Sequence, residues 1–326
     1  MINLRTIQRA RKDIAALVEQ TPLVRSEFLS KLSCGDVFLK LENLQITRSF
    51  KPRGAVNKLL HLSAEEENRG IITASAGNHG QAVAYAAQKL GLPTKVVVPK
   101  TTPHVKIEGI RKFGADLVLF GDDYDEAERK AKDLARRDGC AYISPYDDEL
   151  IVSGHGTVGL EIIESLPQVD AVVVPVGGGG LISGVSIAVK SLKPEVEIIG
   201  VQSEASPVMY ESLRAGRIVE VAKAKTIAEG LSGGIEKGSL TFEIAKSCID
   251  KMLLVKESTI RRAVYLLWTQ DKQVAEGSGA AAVAPFLENE TLFENKTVAC
   301  VITGGNIDDE LFKEILASEG SSYPSL

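Results

Sequence analysis

A chain of 326 residues with 44% hydrophobic and 25% charged residues has the composition of a globular protein, and its length favours two lobes over one. The net charge of −5 argues against a nucleic-acid partner, because phosphate backbones are bound mainly by excess lysine and arginine. No apolar run is long enough to span a membrane, so we expect no membrane partner. The four cysteines lack metal-ligand spacing and indicate free thiols in a reducing cytoplasm: Cys34, Cys140, Cys248 and Cys300.

The first half of the chain alternates between predicted helices and strands. An amphipathic helix is predicted from Leu4 to near Gln20, because Thr21-Pro22 breaks the helical pattern. A strand at 37–41 and a helix at 55–62 flank the stretch SFKPRGA. Further apolar strands are predicted at 71–74, 95–98, 116–120 and 141–144.

The second half continues the alternation, with strands predicted at 170–176, 196–201 and 297–302 and helices at 157–166 and from Leu181. Residues 222–238 are rich in glycine, serine and threonine and indicate a loop that borders the site. Alternating strands and helices predict an α/β fold with parallel sheets covered by helices. We place a small domain at 63–145 and a large domain at 1–62 and 146–326, with the handover near Ser144-Pro145.

Lys51 lies in SFKPRGA, between an aromatic residue and a Pro-Arg-Gly turn. A lysine held in a cleft loses its proton readily, because desolvation disfavours the ammonium form, and the free amine condenses with aldehydes such as pyridoxal phosphate. A solvated lysine near a helix start is the competing interpretation of this motif by itself.

The stretch Gly177 to Gly180 follows a buried strand and precedes a helix. Glycines let backbone N–H groups approach a phosphate closely, and the helix N-terminus adds a favourable dipole. The stretch lacks the dinucleotide and Walker signatures. A phosphate group is therefore the predicted ligand, although a plain tight turn accounts for a glycine run equally well.

The stretch SAGNHGQA (75–82) also follows a strand and opens a helix. Its helix start is suited to bind an amino-acid carboxylate. His79 is interpreted as a structural hydrogen-bonding residue rather than a general base. The other three histidines form no ligand spacing, so no catalytic metal is predicted: His61, His104 and His155.

These motifs occur in one order together with KLENLQ (40–45), EGSGAAAVA (276–284) and TGGN (303–306). The ordered set resembles the fold-type II pyridoxal-phosphate enzymes, whose fold is similar to tryptophan synthase β, and in particular the threonine dehydratase and serine racemase group. The resemblance covers nearly the whole chain. It implies pyridoxal 5'-phosphate as cofactor, a small amino-acid substrate, and a homodimer or homotetramer.

The resemblance also implies roles for individual residues. Lys51 would carry the cofactor as a Schiff base and act as the general base, with Phe50 packed beside the cofactor. Asn78 would meet the cofactor 3-hydroxyl oxygen, and Thr303 would face the pyridine nitrogen. The phosphate would lie on Gly177, Gly178, Gly179 and Gly180, and the substrate carboxylate on Ser75, Ala76, Gly77, Asn78 and His79.

The activity implied is dehydration of a β-hydroxy amino acid, L-threonine or L-serine, to a 2-oxo acid and ammonia. Serine racemase is an alternative, but the racemase branch has serine where Ala76 stands, and only one acid, Glu204, falls in the segment 202–210 that would hold its cation. A threo-3-hydroxyaspartate dehydratase is another, because Arg48 replaces the usual glycine of the family and would suit a second carboxylate. A solvent-facing Arg48 is favoured.

Two further alternatives differ in kind. A phosphate-ligand binding protein without catalysis would share the fold, since fold alone does not determine function. It would have no need of Lys51, Asn78 and Thr303 together. A β-replacement enzyme resembling cysteine synthase is disfavoured because SFKPRGA and SAGNHG match the dehydratase pattern better.

Overall fold

The computed structural model describes residues 1–222 and 224–322, and within them the strands form two separate sheets. The strands are β1 (Leu23–Arg25), β2 (Asp36–Lys40), β3 (Ile71–Ala74), β4 (Thr94–Val98), β5 (Asp116–Leu119), β6 (Ala141–Tyr142), β7 (Ala171–Pro175), β8 (Glu197–Ser203), β9 (Lys251–Val255) and β10 (Thr297–Val301). The larger sheet has the order β1-β2-β10-β7-β8-β9 and the smaller β5-β4-β3-β6.

Helices separate the strands along the chain. They are α1 (Leu4–Ile14), α2 (Glu27–Ser33), α3 (Lys51–Leu59), α4 (Ala64–Arg69), α5 (Asn78–Leu90), α6 (His104–Arg111), α7 (Tyr124–Asp138), α8 (Glu149–Ser165), α9 (Gly180–Leu192), α10 (Val208–Ala215), α11 (Leu240–Cys248), α12 (Glu257–Thr269), α13 (Gly277–Ala280), α14 (Ala284–Glu288) and α15 (Asp309–Ser322). In the described part of the chain, no helix combines the length and apolar character needed to cross a membrane.

Both sheets are parallel except for the short edge strand β1, which pairs antiparallel with β2. Every residue of the central strand β7 is buried, as expected for a strand covered on both faces by helices. The predicted α/β class with parallel sheets is confirmed. Strands β1 and β9, which lie at the two edges of the larger sheet, have no counterpart in the predicted set.

The two sheets divide the chain in the way that supports the proposed domains. All strands of the smaller sheet lie between residues 71 and 142, and those of the larger sheet lie outside this range. Boundaries at 62/63 and 145/146 remain our proposal for where the domains meet.

Several helix boundaries differ from the prediction, among them the end of α3 at Leu59 instead of residue 62. Helix α1 ends at Ile14, and a turn follows in which the N–H groups of Leu17 and Val18 both donate to the Ile14 carbonyl oxygen. Helix α3 begins at Lys51, so Pro52 stands in its first turn, where a proline costs no hydrogen bond. Lys51 therefore opens a helix instead of preceding a turn.

Helix α8 begins at Glu149, well before the predicted start at residue 157. Asp148 caps it by accepting from the N–H groups of the second and third helical residues. Gly154 allows helix α3 to pack closely here, because a Cβ on Gly154 would overlap the Arg53 carbonyl oxygen. Gly154 therefore serves the contact between these two helices.

Candidate active site

The predicted motifs follow the carboxyl ends of strands in both sheets. Ser75 follows β3, Gly177 follows β7 after one residue, and Thr303 follows β10 after one residue. Ligand sites in parallel α/β sheets lie at the carboxyl ends of the strands, which is the edge that these three positions mark. Lys51 joins them through an isolated bridge between the neighbouring Ser49 and Gly304.

Lys51 is the first residue of α3, and its side chain is partly buried. The amine donates a hydrogen bond to the carbonyl oxygen of Pro145 at 2.7 Å and lies 5.0 Å from the centre of the Phe50 ring. Burial lowers the pKa of Lys51 from 10.5 to about 8, and the negative charge of Glu276 partly opposes this shift. The amine is therefore available in neutral form close to physiological pH.

A buried ionic cluster holds the first turn of α3. Arg53, which is 1% exposed, donates to Glu42 at 2.8 Å and to Glu161 at 2.5 Å. Lys40 completes the cluster by donating to Glu161 at 2.5 Å. Two cations thus face two carboxylates, which satisfies the charges that burial would otherwise penalise. The cluster anchors the helix turn that carries Lys51.

The glycine stretch forms the connection between β7 and α9. Gly179 has φ 89, a backbone conformation that favours glycine. A Cβ on Gly178 would lie 2.5 Å from the Tyr146 ring, and one on Gly180 3.0 Å from the Tyr146 Cα. The Gly178 carbonyl accepts from the Thr241 hydroxyl at 2.6 Å. The stretch places free N–H groups at the start of a 13-residue helix, as an anion site requires.

The stretch 75–79 forms the turn between β3 and α5. The Ser75 hydroxyl accepts from the Gly77 N–H at 3.2 Å, and α5 begins at Asn78. Ala76 packs against the apolar cluster of the smaller sheet. His79 is 4% exposed and its Nε2 lies 3.1 Å from the Ile143 carbonyl oxygen.

Burial, with a smaller contribution from the Lys51 charge, lowers the pKa of His79 to about 3. The imidazole is therefore neutral at physiological pH, and Nε2 carries the proton that it donates to the backbone. This geometry agrees with the structural interpretation of His79.

Thr303 is buried and follows β10, and its carbonyl oxygen accepts from the Phe50 N–H at 3.1 Å. The Phe50 ring makes an edge contact with the His155 ring at 4.7 Å between centres. The last strand of the larger sheet is thereby tied to the residue that precedes Lys51.

Two site residues to which the sequence analysis assigned no role are Glu276 and Asn306. Glu276 Oε1 accepts from Asn78 Nδ2 at 2.7 Å, and Asn78 Oδ1 accepts from Asn306 Nδ2 at 2.7 Å. Burial raises the pKa of Glu276 to about 7. Both residues belong to motifs named in the sequence, EGSGAAAVA and TGGN. Nothing in either motif indicates that its polar residue forms a hydrogen bond with Asn78.

Tyr146 is a third such residue. Its ring lies against the glycine stretch, and its hydroxyl oxygen accepts from the Glu236 N–H at 3.0 Å. Because Pro145 precedes it, this short segment touches both the Lys51 amine and the glycine stretch. The feature of the sequence that could have indicated a role for Tyr146 is its position just after the predicted domain boundary.

Arg48 and the predicted loop 222–238 lie at the rim of the site. Arg48 is exposed, with φ 57, and its Nη2 lies 3.5 Å from the position of a Cβ on Gly305. The loop approaches the glycine stretch, since a Cβ on Gly177 would lie 2.8 Å from the Gly230 carbonyl oxygen. The loop thus contacts the predicted phosphate-binding stretch at Gly230, and that it borders the site stays a prediction; Lys223 lies outside the described residues.

Comparisons with known proteins identify the family of this chain. The family model described as "Pyridoxal-phosphate dependent enzyme" matches residues 14–304. An L-threonine ammonia-lyase of Thermotoga maritima is 47% identical over 317 residues, which cover 97% of this chain and 78% of the relative. A catabolic L-threonine dehydratase of Staphylococcus aureus is 41% identical over 94% of this chain and 90% of its own length.

Solved structures are similar over the same extent. The processed form of threonine deaminase isoform 2 from Solanum lycopersicum has a TM-score of 0.90 at 35% identity, covering 98% of this chain and 97% of the other. Serine racemase of maize has a TM-score of 0.90 at 30% identity, covering 98% and 99%. From the matched family model, the identities and the shared fold, this chain belongs to the family of pyridoxal-phosphate dependent enzymes.

Proposed function

We propose that this protein is an ammonia-lyase that dehydrates L-threonine, and also L-serine, to a 2-oxo acid and ammonia. The observation that carries the proposal is the state of Lys51. This residue begins helix α3, and burial lowers the pKa of its amine to about 8. A lysine in that state is suited both to bind an aldehyde cofactor and to remove a proton. The names of the relatives, threonine ammonia-lyase and threonine dehydratase, support the choice of substrate.

The residues present fit pyridoxal phosphate. The glycine stretch would hold the phosphate, because Gly179 has φ 89 and the stretch presents backbone donors at the start of α9. Asn78 would contact the 3-hydroxyl oxygen, Thr303 the pyridine nitrogen, and Phe50 the cofactor region. The segment 145–146 connects the two ends of this site, since it touches both the Lys51 amine and the glycine stretch.

The bound cofactor supplies an electron sink for the pair that remains when the α-proton departs. Lys51 removes that proton at its Nζ atom. The turn 75–79 at the start of α5 binds the substrate carboxylate through backbone N–H groups. The β-hydroxyl leaves with a proton as water, and the unsaturated amine that results is hydrolysed to the 2-oxo acid and ammonia, giving 2-oxobutyrate from threonine.

Three side chains favour dehydration of threonine over the alternatives. Ala76 has no hydroxyl to return a proton on the opposite face of the substrate, as racemisation requires. Arg48 is exposed, which is the ordinary state of an arginine and favours a solvent role over binding of a second carboxylate. The Thr303 hydroxyl would face the pyridine nitrogen and, unlike a carboxylate, would not hold a proton there, which would suit elimination, where a leaving group takes the electrons away.

We also propose a homodimer or homotetramer located in the cytoplasm. The assembly rests on the likeness to this enzyme group, and the location on the free cysteines of the sequence, of which Cys34 is exposed. Light scattering of the purified protein measures its oligomeric state.

The test of the activity begins with an absorbance spectrum of the purified protein. A band at about 410 nm that borohydride traps on Lys51 would identify the bound cofactor. L-threonine, L-serine and 3-hydroxyaspartate are then supplied separately while 2-oxo acid is assayed and the remaining amino acid is analysed for its D-enantiomer. Release of 2-oxobutyrate from threonine, without D-amino acid, is the expected result.

Other outcomes would contradict the proposal in distinct ways. Formation of D-serine faster than pyruvate would make the protein a racemase. A preference for 3-hydroxyaspartate would move the assignment to that substrate. A protein that gains no band when pyridoxal phosphate is added would leave the binding-protein alternative.

A further inference from the structure

The side-chain amide of Asn78 is bonded on both of its ends. Glu276 accepts from its Nδ2 and Asn306 donates to its Oδ1, each at 2.7 Å. Asn306 is itself held, because its Nδ2 also donates to the Thr47 carbonyl oxygen at 2.8 Å. These contacts join segments that are far apart in the sequence.

The two partners allow only one orientation of the amide. Rotation by half a turn would place the Asn78 oxygen against the Glu276 carboxylate and its NH₂ group against the Asn306 NH₂ group. Acceptor would then face acceptor, and donor would face donor, so that both hydrogen bonds are lost. In the observed orientation one of the two Nδ2 hydrogens bonds to Glu276 and the other stays available.

Gly304 leaves the space in which the Glu276 carboxylate reaches Asn78. A Cβ on Gly304 would lie 2.6 Å from Glu276 Oε1 and 3.2 Å from Asn78 Nδ2. The Glu276 N–H also donates to the Gly304 carbonyl oxygen at 3.0 Å. The glycine that follows Thr303 is thus required for the carboxylate to reach Asn78.

We propose that Glu276 and Asn306 are positioning residues, which lock the Asn78 amide so that its remaining N–H is directed at the 3-oxygen of the cofactor. The inference rests on the proposed function, in which Asn78 contacts that oxygen. An oriented donor loses less rotational freedom when the cofactor binds than a free amide would. The lock therefore contributes to cofactor affinity.

The charges around Glu276 are consistent with this role. Burial raises the pKa of its carboxyl, opposed by the Asn78 hydrogen bond and by Lys106 and Arg48, while Glu229 raises it further. The negative charge of Glu276 also raises the pKa of Lys51. When ionised, Glu276 gives Asn78 a charge-assisted hydrogen bond, which is the stronger kind.

The experiment measures the dissociation constant of pyridoxal phosphate from the full chain, by absorbance titration of protein stripped of cofactor with hydroxylamine. We expect Glu276→Ala and Asn306→Ala each to raise this constant about tenfold, the effect of losing one such hydrogen bond. Glu276→Gln, whose amide oxygen still accepts from Asn78, should stay within about threefold of the wild type. Glu229→Gln is the matched control, since Glu229 lies near Glu276 without bonding to Asn78, and should leave the constant unchanged.

An Asn78→Ala background decides between positioning and direct binding. If Glu276 and Asn306 act through Asn78, removing either one in this background adds nothing to the dissociation constant. Equal effects in both backgrounds, or a Glu276→Gln variant as weak as Glu276→Ala, would overturn the proposal. Because affinity is measured without turnover, this outcome is separate from failure of the dehydratase assay, and circular dichroism identifies any variant that fails to fold.

Discussion

The amine of Lys51 and the carbonyl oxygen of Pro145 are joined by a hydrogen bond of 2.7 Å. Lys51 opens helix α3 two residues after Ser49, which bridges to Gly304 beyond the last strand of the larger sheet, whereas Pro145 lies where the chain returns from the smaller sheet. The reactive group is thus held by the segment that links the two sheets. Its reactivity depends on that junction as well as on its own helix.

We expect replacement of Lys51 by methionine to stabilise the cofactor-free protein at neutral pH. The native pKa of about 8 lies below the ordinary 10.5. Burial of the ammonium therefore lowers the free energy of unfolding, and this cost is complete below pH 8. The unfolded chain binds more protons between the two values, and the cost is relieved as the pH rises through them. Urea unfolding should show a gain of about 1–3 kcal/mol at pH 7 that shrinks toward pH 10. An equal gain at both pH values would contradict the assigned shift.

Acid should destabilise the protein in part through His79. Its native pKa of about 3 lies below the unfolded 6.5, so the unfolded chain binds the proton first and stability falls as the pH drops from 6.5 to 3. This costs about 1.4 kcal/mol for each pH unit in that window. His79→Gln, which keeps a donor for the Ile143 carbonyl, should make urea-unfolding stability less dependent on pH there. An unaltered pH dependence would mean that His79 is not buried in its neutral form.

Gly179→Ala should weaken both folding and cofactor binding. An alanine at φ 89 costs about 1–2 kcal/mol of strain, and its Cβ would lie 2.9 Å from the movable end of Met209. Gly233→Ala is the control, because a Cβ there has no neighbour within 4 Å. The thermal midpoint and the pyridoxal-phosphate dissociation constant should change for the first variant only. Equal changes of the thermal midpoint and the dissociation constant in the two variants would contradict the strain assigned to alanine at position 179.

Arg48→Gly should raise stability by up to about 1 kcal/mol, because glycine adopts φ 57 without the strain that arginine carries but loses more chain entropy on folding. Since Arg48 is exposed, we expect the ratio of kcat/KM between threonine and 3-hydroxyaspartate to stay within about twofold. Both are measured on the same preparation. A selective loss of activity on hydroxyaspartate would show that Arg48 binds a second carboxylate.

Local pattern in the sequence was sufficient to predict the α/β class, the strands that carry the motifs, and the positions of Ser75, Gly177 and Thr303 just after three of those strands. The reason is geometric: buried parallel strands are continuous apolar runs, and their carboxyl ends share one edge. Gly179 was predictable for a similar reason, since a glycine run between a strand and a helix marks unusual backbone.

Contacts between distant segments were decided only by the tertiary structure. The bonds from Asn78 to Glu276 and Asn306, and from Lys51 to Pro145, join residues with no pattern in common. The close packing of α3 against α8 at Gly154 is likewise a contact between distant segments. The same is true of the lowered pKa of Lys51, because desolvation is a property of what surrounds an amine in space and leaves no trace in the residues beside it along the chain.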